Sequence, residues 1–473
     1  MTHDRVTELD ATFLGYSQLS VGGIVLDPPL SGQAPTFEEL ADAVGRHLRR
    51  SASFRQRLRA IPFHVDRPVW VDDQSFDLRE HLHQTPVPPG EEVSLDQLAT
   101  LAAEASARPI DRAHAPWRLE VVEPMEGGRL GLVATVDHVR ADGIAALVFF
   151  TLLLADLPGE QAGGEDDWSP EPAEDDLRLM LQALGNRFRA FEHKAVELER
   201  DARSRDDVAS FVRNAGSESR ELPAVAAYVR RARSERVEPC SFNQSRAADK
   251  VTLTFRDLPL EPASAAAHAA VPGATVNDAV LAGVAAGLRD WLAQAGEPVR
   301  DLRALMPVDV MHAGRGAGGP SNRASRSFVM LPVTEPDPVA RLRFVHERTA
   351  RVKRDDDARA SLMLAHWVGR VPRRVSRPLR GWVDRECESF NLVVSDFRGP
   401  DAPVRVLGCP VRLLYPLTTL AGHNGINVTV TSMQDRLCYS VMANGHVITD
   451  PAPLVAGIER TFDELQRRTG AAA

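Results

Sequence analysis

Over Phe37 to Arg50 (FEELADAVGRHLRR), Leu40, Val44 and Leu48 recur at four-residue spacing and would share one face, which predicts an amphipathic helix. Ser94 to Ser106 (SLDQLATLAAEAS) predicts a second helix, with Ser94 placed to cap its first turn. Val21 to Leu26 (VGGIVL) is a short apolar run suited to a strand. Trp117 to Val122 and Arg129 to Val136 are apolar runs flanking Glu126-Gly127-Gly128, the pattern of a hairpin closed by a glycine-containing turn. The most apolar run, Ile144 to Ala155 (IAALVFFTLLLA), falls short of the about 20 residues that span a bilayer and predicts a buried helix.

The texture then changes. Pro158 to Glu174 is rich in Gly, Pro, Asp and Glu and reads as an exposed loop. Asp175 to Arg205 sets Leu, Phe and Val at helical intervals among many charges and predicts a long amphipathic helix; Leu222 to Arg233 predicts another. Alternation resumes at Lys250 to Phe255 (KVTLTF), which has the period of a half-buried strand. Val276 to Ala293 reads as a long buried helix opened by Thr275. Strands are expected at Phe328 to Val333, Phe390 to Ser395, Val411 to Tyr415, Ile426 to Thr431 and Leu437 to Val441, and a last helix at Ala452 to Arg468. Helices and strands mix without a strict βαβ rhythm, which predicts an α/β protein with mixed (α+β) sheets. The expected division is a first lobe over 1–157, a charged helical connector over 158–249 and a second lobe over 250–473.

Composition narrows the function classes. A chain of 473 residues, 44% apolar and 26% charged, can build a large core, and 32 Gly with 33 Pro indicate many loops without low complexity. A net charge of −9 lacks the basic footprint of a nucleic-acid protein, so no nucleic-acid partner is expected. Cys240, Cys387, Cys409 and Cys438 show no C-x-x-C spacing and suit neither a disulfide scaffold nor a zinc ribbon. They read as reduced thiols, and the start MTHDRVTELDATF carries acids and lacks an apolar signal core. A cytoplasmic protein, soluble or at most lying on a membrane surface, is the expectation.

The chemistry concentrates between the second hairpin strand and the apolar helix, in Asp137-His138-Val139-Arg140-Ala141-Asp142-Gly143. Polar residues held between two buried elements need partners or a task. Histidine titrates near neutral pH, so His138 suits a general base toward a hydroxyl; Asp142 could orient a ring nitrogen or tie down the loop; Gly143 leaves room for a tight turn or for substrate. A hydrogen-bonded structural histidine is the competing reading. A metal site lacks a second histidine motif and none is expected. No G-x-S-x-G elbow and no P-loop occur, and Gly314 to Gly319 (GRGAGG), followed by Pro320, reads as a loop and not as a nucleotide fingerprint.

DHVRADG resembles the HHxxxDG signature of the coenzyme-A-dependent acyltransferase superfamily that includes chloramphenicol acetyltransferase and peptide-synthetase condensation domains. Within it the chain is most similar to the bacterial wax ester synthase/diacylglycerol acyltransferase family. Leu9-Asp10-Ala11-Thr12-Phe13-Leu14 with Val21-Gly22-Gly23 resembles that family's LDAxFL and VGG opening. Pro68 to Asp73 with Phe76-Asp77-Leu78 resembles PxWVxDxxFDL, and Ala115-Pro116-Trp117 stands at its PLW. Phe242-Asn243, Thr275-Val276-Asn277-Asp278, Leu305 to Val308, Asn322-Arg323 and Asn391 to Pro400 continue the match in order. Three departures stand out: Asp137 replaces the first histidine, PLW lacks its leucine, and SNVPGP reads SDFRGP with Arg398 in place of proline.

The resemblance implies two chloramphenicol acetyltransferase-like lobes with a channel between them, acyl-CoA as co-substrate, no bound cofactor and no covalent acyl-enzyme. It implies His138 as general base, with Asp142 and Gly143 shaping its loop. It also implies Asp137, Asn277, Asp278, Asn391 and Ser395 as residues toward the substrates, with helix capping as the plainer reading of Asn277 and Asp278. Asp137 could raise the imidazole pKa or shape the acceptor pocket. Trp117 reads as packing. Three functions stay open: a storage-lipid enzyme making wax esters or triacylglycerols, a relative acylating a polar or specialised metabolite, and a catalytically silent lipid-binding protein. An interfacial substrate would call for peripheral contact with a membrane or lipid droplet, for which Asp175 to Arg205 is the candidate surface.

Overall fold

The glycine hairpin lies at the heart of a six-stranded sheet, and the burial of its strands shows why. The computed structural model describes residues 4–7, 10–14, 18–29, 32, 34–157, 168–172, 175–185, 223–243, 250–309, 324–355, 359–361, 363–364, 383, 389–400, 402–420 and 423–470. Its strands are β1 (Leu19–Leu26), β2 (Gln56–Arg59), β3 (Val69–Asp72), β4 (Leu82–Thr85), β5 (Trp117–Met125), β6 (Arg129–Asp137) and β7 (Val251–Pro259). There follow β8 (Leu302–Asp309), β9 (Ala324–Leu331), β10 (Leu392–Arg398), β11 (Arg405–Val406), β12 (Cys409–Thr418), β13 (Ile426–Met433) and β14 (Arg436–Asn444). The helices needed below are α1 (Phe37–His47), α2 (Leu95–Ala107), α3 (Gly143–Leu154), α4 (Leu260–Ala270), α5 (Val276–Gln294), α6 (Pro338–Asp355) and α7 (Ala452–Thr469).

The sheets run β11-β12-β1-β6-β5-β4 and β7-β14-β13-β10-β8-β9, with β2 and β3 as a separate ribbon. Parallel pairing of β4 with β5 and of β10 with β13 and β8 sits among antiparallel neighbours, so both sheets are mixed. Beyond Arg129 at its exposed start, β6 is buried at every residue, because α3 covers one face and α2 the other. Ser94 and Thr275 cap α2 and α5, each within a capping box.

The boundary expected at 250 is crossed. β11 and β12 come from the second half of the chain yet join the first sheet, where Ser20 pairs with Thr418 and Ile24 with Leu414. Without β12 the outer edge of β1 would present unpaired backbone groups, and pairing removes that edge. The two lobes also share a core: Phe255, Met433, Cys438 and Met442 pack into the first lobe's cluster. Gly23 makes this possible, since a Cβ there would lie 2.5 Å from the Phe255 ring, which stacks on Tyr415 at 4.4 Å. The second lobe has its own core between its sheet and α5 and α7.

The connector is described only in part. A helix over 176–185 packs Leu179 and Ala183 against Ile61, Val69 and Val71, and another over 223–234 packs Val225, Tyr228 and Ala232 against Ala360 and Val383. The rest of Asp175 to Arg205, Gly314 to Gly319, Asn322-Arg323 and Cys387 lie outside the described residues. Among the described residues no helix is long and apolar enough to cross a membrane.

Candidate active site

β6 ends at Asp137 and α3 opens at Gly143, so the residues between them form a short loop fixed at both ends. His138 N–H donates to the Gln18 carbonyl at 2.9 Å, and Ser20 Oγ donates to the Ala141 carbonyl at 2.9 Å. Asp142 is the N-cap of α3; its Oδ1 accepts from Ala145 N–H at 3.0 Å, where a carboxylate also favours the positive end of the helix. The cap turns the chain from strand into helix and leaves His138 at the mouth of the turn.

His138 is 8% exposed. Burial holds its pKa below the ordinary 6.5; a hydrogen bond with its own backbone carbonyl and the charges of Asp142, Asp137 and Asp10 push upward without overcoming it. The rise expected from Asp137 is therefore outweighed, and the imidazole is neutral near pH 7, ready to accept a proton.

Asp137 does not face a substrate space. Arg112 donates to it from Nε at 2.8 Å and from the second guanidinium nitrogen at 3.3 Å, while Val139 N–H donates at 2.8 Å. A carboxylate only 2% exposed needs such a partner, and the ion pair replaces the pocket role expected from sequence. Arg140 from the same loop lies 4.3 Å over the Trp70 ring and donates to Gln56 Oε1 at 3.1 Å. Trp117 donates to the Phe54 carbonyl at 2.7 Å and stacks on His81 at 4.7 Å, so it packs the scaffold. The segments around Asp10, Trp70 and Trp117 thus build the wall behind the loop.

The second lobe meets the loop through β10. A Cβ on Gly143 would lie 2.5 Å from the Phe397 ring, so glycine is what admits that ring. Strand alternation puts Ser395 on the same face as Phe397, and Asp396 with Arg398 on the other. Burial, with Asp278 adding to it and Lys353 opposing, pushes Asp396 up to about 6, although it keeps solvent access as a group in a crevice does. Asp278 is buried in the α5 capping box and accepts from Thr349 Oγ1 at 2.7 Å and pairs with His346 Nδ1 at 3.0 Å. Asn277 sits beside it with a buried Oδ1 that has no partner among the described residues.

Asn391 corrects its expected role. It is fully buried; its Oδ1 accepts from Arg303 N–H at 3.0 Å and its amide donates to the Glu238 carbonyl at 2.9 Å and Asn243 Oδ1 at 3.1 Å. An amide committed on both sides fastens β10 to the segment entering the second lobe and has nothing left for substrate. Cys240, Cys409 and Cys438 are buried, and burial raises each thiol, Cys438 to about 12, which opposes a thiolate role.

An apolar cavity of about 70 Å³ starts at Ser20 and Gly143, next to the loop, and follows α3 toward Ala155. Its floor is the first sheet at Gly22, Ile24 and Ala134, where Gly22 pairs with Ala134; its roof includes Ala146, Phe150 and Leu154. A Cβ on Gly22 would meet nothing within 4 Å. The hollow exists because two small residues are side by side in the sheet.

Sequence reasoning missed Arg112, Phe397 and Gly22 as parts of this site. The buried acid at Asp137 signalled that a cation was needed but could not say which of 56 Lys and Arg would supply it.

Comparison with known proteins adds an independent line. The wax ester synthase/diacylglycerol acyltransferase catalytic domain model matches residues 8–280, and the C-terminal domain model of that family matches 321–466. The Mycobacterium tuberculosis (strain ATCC 25618 / H37Rv) protein tgs1, named a probable diacylglycerol O-acyltransferase, is 29% identical over 98% of this chain and 96% of its own. A second protein of that strain, Rv0221, bears the same activity name and is 27% identical over 87% of this chain and 83% of its own. The solved wax ester synthase/diacylglycerol acyltransferase of Marinobacter aquaeolei VT8 superposes with a TM-score of 0.65 at 19% identity, covering 98% of this chain and all of that one. The first condensation domain of the CDA synthetase superposes at 0.58 with 16% identity over 100% and 98% of the two chains.

Proposed function

Because the chain belongs to the wax ester synthase/diacylglycerol acyltransferase family and is an acyltransferase, we propose that it moves a fatty acyl group from acyl-CoA to an apolar alcohol with His138 as general base. His138 takes the proton of the acceptor hydroxyl as its oxygen attacks the thioester carbonyl. The tetrahedral oxyanion collapses, the carbon–sulfur bond breaks, and the thiolate leaves with the proton that His138 returns. Positioning and donors to the oxyanion supply the remaining rate. Ser395, on the face of β10 turned to the loop, is the side chain assigned to the substrate side of the second lobe.

What supports this reading is a neutral, buried histidine on a loop fixed at both ends, close to where an apolar cavity begins at Ser20 and Gly143. That cavity takes the acyl chain of the donor. A narrow channel of this kind suits one chain, and the thioester end stays at His138 while the coenzyme remains outside. At about 70 Å³ it holds only part of a long chain, so chain length is where its walls act. The product is a wax ester or triacylglycerol rather than an ester of a polar metabolite. Asp137 is bound to Arg112, and Arg398 lies on the β10 face opposite Phe397, so neither of the charges that would favour a polar acceptor is turned to the loop.

The test is coenzyme A release from a panel of acyl-CoAs crossed with hexadecanol, diacylglycerol and polyols. Turnover with either apolar acceptor is the expected result; activity confined to polyols would overturn it. Because burial lowers the His138 pKa, the base stays deprotonated below the usual histidine range. The acid limb of kcat/KM is therefore expected below pH 6.5, and a limb above that value would contradict the assignment.

Peripheral contact with a lipid surface is supported by the helix over 176–185, whose outer face exposes Leu177, Leu181 and Leu184 at 61, 58 and 45%. That spacing is one face of a helix, and this stripe is the peripheral docking surface. Replacing the three leucines by serine is expected to reduce co-sedimentation with phospholipid vesicles severalfold; unchanged co-sedimentation would rule the stripe out.

A further inference from the structure

Asp137 stands immediately before His138, where the resembled motif has a histidine, and it brings its own counter-ion. The Arg112 fork grips both carboxylate oxygens, at 2.8 and 3.3 Å, and a third guanidinium contact reaches the Leu14 carbonyl at 2.9 Å. One guanidinium thus ties the residue before His138 to the N-terminal segment, while the His138 amide is tied to Gln18 four residues further along that segment. The second oxygen of Asp137 also holds Val139 N–H, so both neighbours of His138 are fixed by the same carboxylate.

Resting on the reading of His138 as the base, we propose that Arg112 and Asp137 are positioning residues that work as one charge-neutral clamp. The clamp sets the His138 backbone and limits how strongly the Asp137 charge acts on the ring. A bidentate Arg–carboxylate pair supplies direction as well as energy, which a histidine at position 137 could not do in the same way. The other charges that act on His138 are Asp142 from the start of α3 and Asp10 from the N-terminal turn. Each of these belongs to a different element, whereas Arg112 and Asp137 can be altered singly with opposite electrostatic results.

Asp137→Asn leaves the guanidinium without its partner and disfavours the imidazolium, so the acid limb of kcat/KM moves to lower pH. Arg112→Gln leaves a bare carboxylate beside the ring and moves the limb to higher pH. Shifts of roughly half a pH unit or more are expected, with the double variant returning close to wild type. Arg112→Lys keeps the charge but loses the fork; its limb stays in place while kcat falls about tenfold to a hundredfold. Guanidinium ion at low, non-denaturing concentration restores part of the activity of Arg112→Gln. A purely structural pair would lower activity in every variant without moving the limb, and that result overturns the proposal, as does a shift of the same sign in both single variants. If Arg112→Gln does not fold, Asp137→Asn and Arg112→Lys decide between the two outcomes. Failure of the general-base reading shows separately, as an active His138→Ala enzyme.

Discussion

His138→Ala is expected to lower coenzyme A release by about 10²–10⁴-fold while leaving the protein folded. The size follows from what is removed. The acceptor hydroxyl is a poor nucleophile until its proton has somewhere to go, and no second histidine stands in the loop, since position 137 is aspartate. The Asp137 carboxylate cannot substitute, because Arg112 and Val139 occupy its oxygens. The residual rate is what the cavity and the oxyanion donors supply by positioning alone. The fold is insulated because the loop is held by main-chain and neighbouring contacts that do not use the ring: Gln18 with the His138 amide, Ser20 with Ala141, and Asp142 with Ala145. A thermal midpoint within a few degrees of wild type, measured beside the coenzyme A assay, separates lost chemistry from lost structure. Near-wild-type turnover in a folded His138→Ala protein would end the assignment.

Local rules made much of this architecture legible. The apolar run over Ile144 to Ala155 indicates a helix, and α3 is that helix, although it is buried on one face only and exposes Ile144 and Val148 on the other. Thr275 and Ser94 open α5 and α2 as their spacing indicates, and the Gly127-Gly128 turn joins β5 to β6. Two helices gave no such signal. α6 (PVARLRFVHERTARVKRD) buries Arg341 and Thr349 beside Leu342 and Val345, so its buried face is partly polar and the apolar period is obscured. α4 begins at Leu260 directly from β7 with no side-chain cap, and its alanines fit a helix and a loop equally well.

What sequence could not show is where distant pieces meet. The run over Val411 to Tyr415 reads as a strand wherever it goes, and only three-dimensional pairing places it beside β1 in the first sheet. Asn391 is expected on the substrate side because the stretch from Asn391 to Pro400 resembles NxVVSNVPGP. Its hydrogen bonds to Arg303, Glu238 and Asn243 come from segments up to 153 residues away. Arg112 and Asp137 are 25 residues apart, and neither residue type by itself distinguishes a clamp from two surface charges. The motifs therefore point to the candidate site, while the roles within it depend on contacts that no local pattern encodes.

The neighbouring glycines of β1 give the second large effect, in two opposite forms. Side chains alternate along a strand, so Gly22 and Gly23 face opposite sides of the first sheet. Gly22 opens on the cavity, paired with Ala134, which stands about 13 Å along β6 from His138. Since a Cβ there meets nothing within 4 Å, Gly22→Val is expected to fold with a thermal midpoint at or above that of wild type. It should keep butyryl-CoA turnover and lose palmitoyl-CoA turnover at least tenfold, because the added methyls fill the space that only the longer chain reaches. Gly23→Val drives into Phe255, whose ring is buried and stacked on Tyr415, and neither ring has anywhere to move. A cost of about 1–3 kcal/mol is expected, with turnover falling alike for every chain length. Phe255→Ala in the same chain should relieve part of that cost, as contacting sites do not add. Donor-length profiles and denaturation curves of the two variants check both halves. A Gly22→Val enzyme with the wild-type palmitoyl-to-butyryl ratio, or one whose selectivity moves with alcohol length instead, would remove the donor chain from this cavity. An undiminished midpoint for Gly23→Val would mean that the joint between the lobes does not depend on the Phe255 contact.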